Sequence, residues 1–106
     1  MEMNRQKIIY AVSGAAIMLI FILGLLQTAS NGEGIYIREE CGKCHNFKGR
    51  GGALAPDLTS VTHRRSTTWI MAQIKNPKSH NPDSRMPEFD HLSIIERYAI
   101  SQYLKD

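Results

Sequence analysis

Residues Cys41-Gly42-Lys43-Cys44-His45 constrain this chain more than any other stretch, because they hold both of its cysteines and follow them with a histidine. Written C-x-x-C-H, this is the pattern by which a haem is fixed through two thioether bonds. The spacing has a chemical reason. Two vinyl groups lie on one side of a rigid macrocycle, and cysteines separated by two residues reach both from a single helical turn. The next residue is carried beneath the metal, with one ring nitrogen toward the iron and the other free for a hydrogen bond that orients it. Two other chemistries use similar dithiols. A structural zinc site wants a second pair of Cys or His at finger spacing; here zinc would have to recruit scattered histidines. A thioredoxin-like pair wants the motif at the start of a helix after a buried strand, and no apolar β-rich run precedes Cys41.

A chain of 106 residues is one small domain with an appendage. Without its apolar N-terminus about 75 residues remain, a size at which a side-chain core alone is marginal. A covalently held haem would supply the missing apolar centre. Two cysteines exclude a disulfide scaffold and do not fix the compartment. The formal charge of +3 is modest, Arg5 and Lys7 belong to the N-terminal tail, and haem propionates would offset much of the rest. No nucleic-acid footprint is expected.

The appendage is the uncharged stretch Ile8 to Leu26. It runs for about 19 residues, close to the ~20 needed to cross a bilayer, and as a helix spans about 28 Å. Signal-peptide apolar regions are shorter, about 7–15 residues, so length favours a retained anchor. Thr28-Ala29-Ser30 nevertheless offers small residues for a signal peptidase. Arg5 and Lys7 precede the span, which keeps the N-terminus in the cytoplasm and sends the remainder outward. The expected division is therefore residues 1–30 as membrane anchor or signal sequence and residues 31–106 as the haem domain.

Asn31-Gly32-Glu33-Gly34 reads as a short flexible joint and a helix start, and Ile35-Tyr36-Ile37 leads through a short helix to Cys41. Asn46 to Ala55 reads as a loop in which Gly49, Gly51 and Gly52 let backbone pass close to a bulky flat cofactor; no P-loop Lys-Ser/Thr follows them. Ser66 is a good N-cap for a helix from Thr67 to Lys75, closed by Asn76-Pro77. Trp69, Ile70 and Ile74 recur at helical spacing and are expected in the core, and Met71 as core filler. Arg64 and Arg65 suit either a propionate or a solvated face. Residues 76–91 hold Pro77, Pro82 and Pro87 with little periodicity, a stretch either functional or disordered. Ser93 and Glu96 form a capping-box pattern. Leu92, Ile95, Ala99, Ile100, Tyr103 and Leu104 then give the last helix an apolar face, with Arg97 and Lys105 outside.

Over nearly all of residues 32–106 these features resemble the small monohaem cytochromes c of bacterial respiratory chains. Gly32-x-x-Ile35-Tyr36 is similar to the family's first helix, whose glycine allows the last helix to cross closely, and Tyr103-Leu104 to the aromatic-Leu ending of that last helix. Pro56 resembles the proline whose carbonyl accepts the hydrogen bond of the proximal histidine, here His45. Met86-Pro87 resembles the second axial ligand, a soft thioether that raises the reduction potential relative to two histidines. Competing sulfurs are Met71, Met18 and the terminal Met1 and Met3; His63, His80 and His91 are alternative distal ligands.

The resemblance implies an all-α cytochrome c fold behind an N-terminal transmembrane helix. Cys41, Cys44, His45, Pro56 and Met86 would hold one covalent haem c, with His45 and Met86 on the iron. The implied work is one-electron transport in a respiratory chain, between membrane redox complexes, from the periplasmic or extracytoplasmic side of the cytoplasmic membrane. With both axial positions filled, catalysis is not expected. Lys43, Lys48 and Arg50 are placed to dock an acidic partner. Two other roles share the motif: a fixed haem subunit of a larger quinol-oxidising or terminal-oxidase complex, and a haem sensor or peroxidase.

Overall fold

Asn4 opens the first helix by accepting the backbone N–H of Gln6 on its side chain at 3.3 Å, satisfying one of the donors a helix start leaves unpaired. The computed structural model describes residues 4–105. Residues 1–3 and 106, the outer ends of the two segments expected from the sequence, lie outside the described residues, and Met1 and Met3 with them. Helix α1 spans Arg5–Ser30, four residues longer than the apolar stretch at its C-terminal end. Its apolar window is uncovered by the rest of the chain; Ile17 and Ile20, for example, are each 68% exposed. An amphipathic helix hides one face. This one is apolar all round and hides none until Thr28 and Ala29, where the last turn becomes half-buried as the helix packs on the C-terminal helix.

The joint is shorter than the Asn-Gly-Glu-Gly composition suggests. Asn31 alone separates α1 from α2 (Gly32–Arg38). Its N–H bonds back to Thr28 and its carbonyl accepts from Ile35. The helix resumes at once because Gly32 is pressed against α5 (Ile94–Tyr103). A Cβ on Gly32 would collide with the carbonyl of Ala99 and stand 2.8 Å from the Tyr103 Cβ. That close crossing buries Ile35 and Tyr36 of α2 with Ala99, Ile100 and Leu104 of the C-terminal segment. Each such aliphatic side chain contributes roughly 1.5–3 kcal/mol, so this helix pair is the mechanical centre of the domain.

Glu40 ends the α2 segment in the left-handed conformation, φ 60°, and a single 3₁₀ turn over Cys41–Lys43 follows. The expected loop after His45 contains a hairpin instead: β1 (Asn46–Phe47) pairs antiparallel with β2 (Arg50–Gly51), Phe47 opposite Arg50. Lys48 (φ 52°) and Gly49 (φ 81°) make its two-residue turn, the double positive φ that matches strand twist. The hairpin's contribution to the core is Phe47, buried beside Tyr36 and Tyr103 with ring centroids 5.2–6.2 Å apart.

After a short α3 (Val61–Arg64), helix α4 covers Thr67–Lys75. Its ends are those expected: the Ser66 hydroxyl accepts from Trp69 N–H at 3.2 Å, and Asn76 is followed by Pro77. Ile70 and Ile74 are buried and Trp69 half-buried. The proline-rich stretch is an ordered path. A 3₁₀ turn at Pro77–Ser79 is anchored by a fully buried Pro77, and Phe89 N–H bonds to the Ile74 carbonyl.

Helix α5 carries a reciprocal capping box, Ser93 Oγ accepting from Glu96 N–H and Glu96 Oε1 accepting from Ser93 N–H, both at 3.1 Å. One expectation fails here. Arg97 lies inside, only 9% exposed, with a guanidinium N–H reaching the Met71 carbonyl of α4 at 3.5 Å and its Nε unpaired. Its long apolar stem fills the seam between α4 and α5, a packing use of arginine that charge alone does not announce.

Glu96 also receives Arg38 of α2 at 2.7 Å. That hydrogen bond, with those from the capping turn, holds its carboxyl below the ordinary range. A depressed carboxylate adds stability that is complete above the unfolded value of about 4.3 and is lost as pH falls through the folded value. Glu96→Gln keeps an acceptor for Ser93 and loses the charge. The stability gap between wild type and variant is therefore expected to be widest above about pH 5 and to close in acid. Denaturant midpoints measured from pH 7 to pH 3 check this, and a gap that stays constant would contradict it.

Candidate functional site

The five-residue motif folds as one closed turn. Cys44 N–H and His45 N–H both point to the Cys41 carbonyl, at 3.4 and 3.1 Å. The segment after the hairpin is strapped onto it: Gly52 N–H bonds to the Gly42 carbonyl at 2.9 Å and Ala55 N–H to the Cys44 carbonyl at 3.0 Å. Gly51 serves a close approach within the protein itself. The backbone that Gly51 lets come close is the motif's own, since a Cβ there would strike the His45 carbonyl and lie 2.9 Å from that of Gly42. Its φ of 117° is one that side chains rarely adopt.

This strapping delivers Pro56. Its carbonyl oxygen stands 2.7 Å from His45 Nδ1. A carbonyl only accepts, so Nδ1 carries a proton, and in the neutral ring Nε2 then keeps its lone pair. His45 is thus oriented as an Nε2 donor toward a metal, with a hydrogen bond behind the ring that fixes its tautomer and raises its basicity.

The two thiols differ. Cys41 packs against the core, and burial, with the Glu39 carboxylate adding to it, pushes its thiol up to about 11. Cys44 is exposed. A redox dithiol works through a depressed pKa, so Cys41 has the opposite character, and the element before it is a helix where a thioredoxin-like fold has a strand. Among the described residues no three His, Cys, Asp or Glu side chains gather as metal ligands, which leaves a zinc site without its remaining ligands.

Met86 is half-buried against the core. Its sulfur receives a hydrogen bond from Gln73 Nε2 at 3.7 Å, and the Gln73 Oε1 is met by His80 Nδ1 at 2.7 Å. The other candidate ligands have other surroundings. His80 lies flat on Trp69, ring centroids 4.3 Å apart and planes 2° from parallel. His91 Nε2 pairs with Glu39 at 3.1 Å, His63 sits within α3, Met71 is half-buried in α4, and Met18 is exposed on α1. Arg64 donates to the Asp57 carbonyl, and the Arg65 guanidinium lies 4.3 Å from the Trp69 ring centroid. Gln73 was not singled out by the sequence; its position four residues after Trp69, hence on the same helix face, was the available signal.

The residues fit a haem. Cys41, Leu58, Trp69, Met86, Phe89 and Tyr103 are apolar side chains only partly covered by protein, all packed on the core. They offer unsatisfied apolar surface beside two thiols, an imidazole presenting a free nitrogen and a thioether. That donor set, nitrogen and soft sulfur, suits iron porphyrin.

Comparison with known families matches residues 29–106 to cytochrome c. The chain belongs to the cytochrome c family, with a long apolar helix ahead of the family domain. A search of the curated proteins gives no match. Membership implies a covalent haem c and electron transfer, and members are typically electron carriers.

Proposed function

We infer that this protein is a one-electron carrier of a respiratory chain, a membrane-anchored monohaem cytochrome c with His/Met ligation. Cys41 and Cys44 would hold the group covalently, and His45 and Met86 would bind its iron. The haem supplies the one-electron couple. The protein's own work is to hold His45 by the Pro56 carbonyl, to present the Met86 sulfur, and to keep apolar side chains around the metal. The observation carrying this reading is the His45–Pro56 hydrogen bond at 2.7 Å, which leaves one imidazole nitrogen for a metal, within a family that attaches haem.

Residues 8–26 would anchor the protein in the cytoplasmic membrane, haem domain on the extracytoplasmic side, as the basic residues before the span favour. Donor and acceptor would then be membrane redox complexes, met at high effective concentration. Intact mass tests both halves of the reading. The expected result is the added mass of one haem on a chain that still contains residues 1–30. Absence of that added mass after maturation in a competent host would overturn the cofactor assignment; loss of residues 1–30 would overturn the anchor.

The reading of a fixed subunit has one observation in its favour, the packing of the last turn of α1 on α5, which holds the domain against its anchor. Co-migration with large partners in mild detergent would select it over a free carrier.

A further inference from the structure

Gln73 is bonded at both ends of its amide, and the two ends constrain each other. A thioether has no hydrogen to give, so the amide nitrogen must face Met86 Sδ, 3.7 Å away. The amide oxygen then faces His80, and because it only accepts, His80 Nδ1 carries a proton across the 2.7 Å contact. Were the proton on the other ring nitrogen alone, the amide would turn over and set oxygen against sulfur.

His80 is itself held in place. Its ring is stacked on Trp69 at 4.3 Å with planes 2° apart, and its backbone N–H bonds to the Pro77 carbonyl at 3.1 Å. Trp69 and Gln73 are i and i+4 on α4, so one helix face supplies both the platform for the imidazole and the amide it steers. A stacked aromatic pair is worth about 0.5–1.5 kcal/mol beyond its buried area, enough to favour one ring position for a side chain otherwise exposed to water.

We propose that His80 is a positioning residue for the axial thioether: through Gln73 it fixes a hydrogen-bond donor on Met86 and so sets which sulfur lone pair faces the iron and how strongly it donates. This rests on Met86 being the axial ligand. A donor on the sulfur withdraws electron density, and a weaker thioether favours the reduced metal, so losing the donor lowers the potential. The hydrogen bond of His80 is to the amide, and it acts through that amide.

The test uses the mature haem-loaded protein and reads the reduction potential together with the far-red thioether-to-iron absorption. His80→Phe keeps a flat ring for Trp69 and loses the Nδ1 donor. It is expected to weaken the preference for reduced iron about threefold, which at ~59 mV per tenfold is about 28 mV, and to move the far-red band. His80→Asn, which keeps an N–H near the Nδ1 position, should restore most of both. Gln73→Leu should reproduce the His80→Phe shift, and adding His80→Phe to Gln73→Leu should change nothing more. Equal shifts for Phe and Asn, additive shifts in the double variant, or an unmoved potential in His80→Phe would each overturn the proposal. A wild type with no far-red band would overturn the Met86 assignment and this proposal together, whereas a normal band with an indifferent His80 overturns the proposal alone.

Discussion

With Met86 on the iron as proposed, the reduced wild type should ignore carbon monoxide and Met86→Ala should bind it tightly. In the wild type the sulfur is held close to the core by two independent constraints, the Gln73 amide on its lone pair and the Ser84 hydroxyl on the Met86 N–H at 3.3 Å. Removing the side chain would take the proposed sixth ligand away and leave the His45–Pro56 hydrogen bond, in which Met86 has no part. The far-red absorption of the oxidised protein should vanish while covalent attachment persists. The potential should fall, since a thioether raises it relative to harder ligands. Each tenfold of lost preference for reduced iron is worth ~59 mV, so a change smaller than about 60 mV would mean that the sulfur does not discriminate between oxidation states even tenfold. Unchanged carbon monoxide affinity would mean that another group closes the iron, or that the site is open in the wild type, as a sensor or peroxidase requires.

Gly32→Ala, a change of one methyl group far from the metal ligands in sequence, should be nearly as damaging. The new Cβ meets the backbone carbonyl of Ala99, which cannot rotate away, and approaches the Tyr103 Cβ. Helix α2 must therefore move off α5, loosening Ile35, Tyr36, Ile100 and Leu104 together. Overpacking costs about 1–3 kcal/mol even where side chains can adjust, and here the obstacle is main chain. The gain from alanine's helix propensity is about 1 kcal/mol in a helix interior and smaller at the first position of α2. A net loss of about 2–3 kcal/mol corresponds to a fall in Tm of roughly 8–24 °C for a domain of this size. Circular dichroism melts of the haem-loaded variant check it. A Tm within about 2 °C of wild type would show that the two helices can separate without penalty.

What the sequence disclosed, and what it withheld, divides along the range of the interactions. The start of α4 at Ser66 and of α5 at Ser93 were legible because a cap is a hydrogen bond between residues three apart. The all-helical character of the domain followed from the same local signals and from the resemblance of Gly32, Ile35, Tyr103 and Leu104 to a known helix crossing. The hairpin was not legible. Strands of two residues carry no alternation, and its turn places Lys48 where Asn or Gly usually advertises a positive φ. The side taken by Arg97 was missed because a helical wheel assigns by charge, while the seam between α4 and α5 selects by length of stem. The contact of His80 with Gln73 depends on where the buried Pro77 sends the chain after α4, which no spacing rule encodes. Asn31 misled in the opposite sense: a residue followed by Gly-Glu-Gly looks like slack, yet Gly32 is there to let two backbones touch.

The single residue between α1 and α2 has a further consequence. Were Ile8–Leu26 seated in hydrocarbon, as proposed, only Gln27–Ser30 would stand between lipid and domain, a rise of about 6 Å, and that last turn leans on α5. The molecule measures 67 Å along its long axis and 28 by 23 Å across, a mast with a small head. On the anchored reading, a head borne this way would keep one latitude toward the bilayer and spin about the mast, and a partner would have to present its own redox centre at that height.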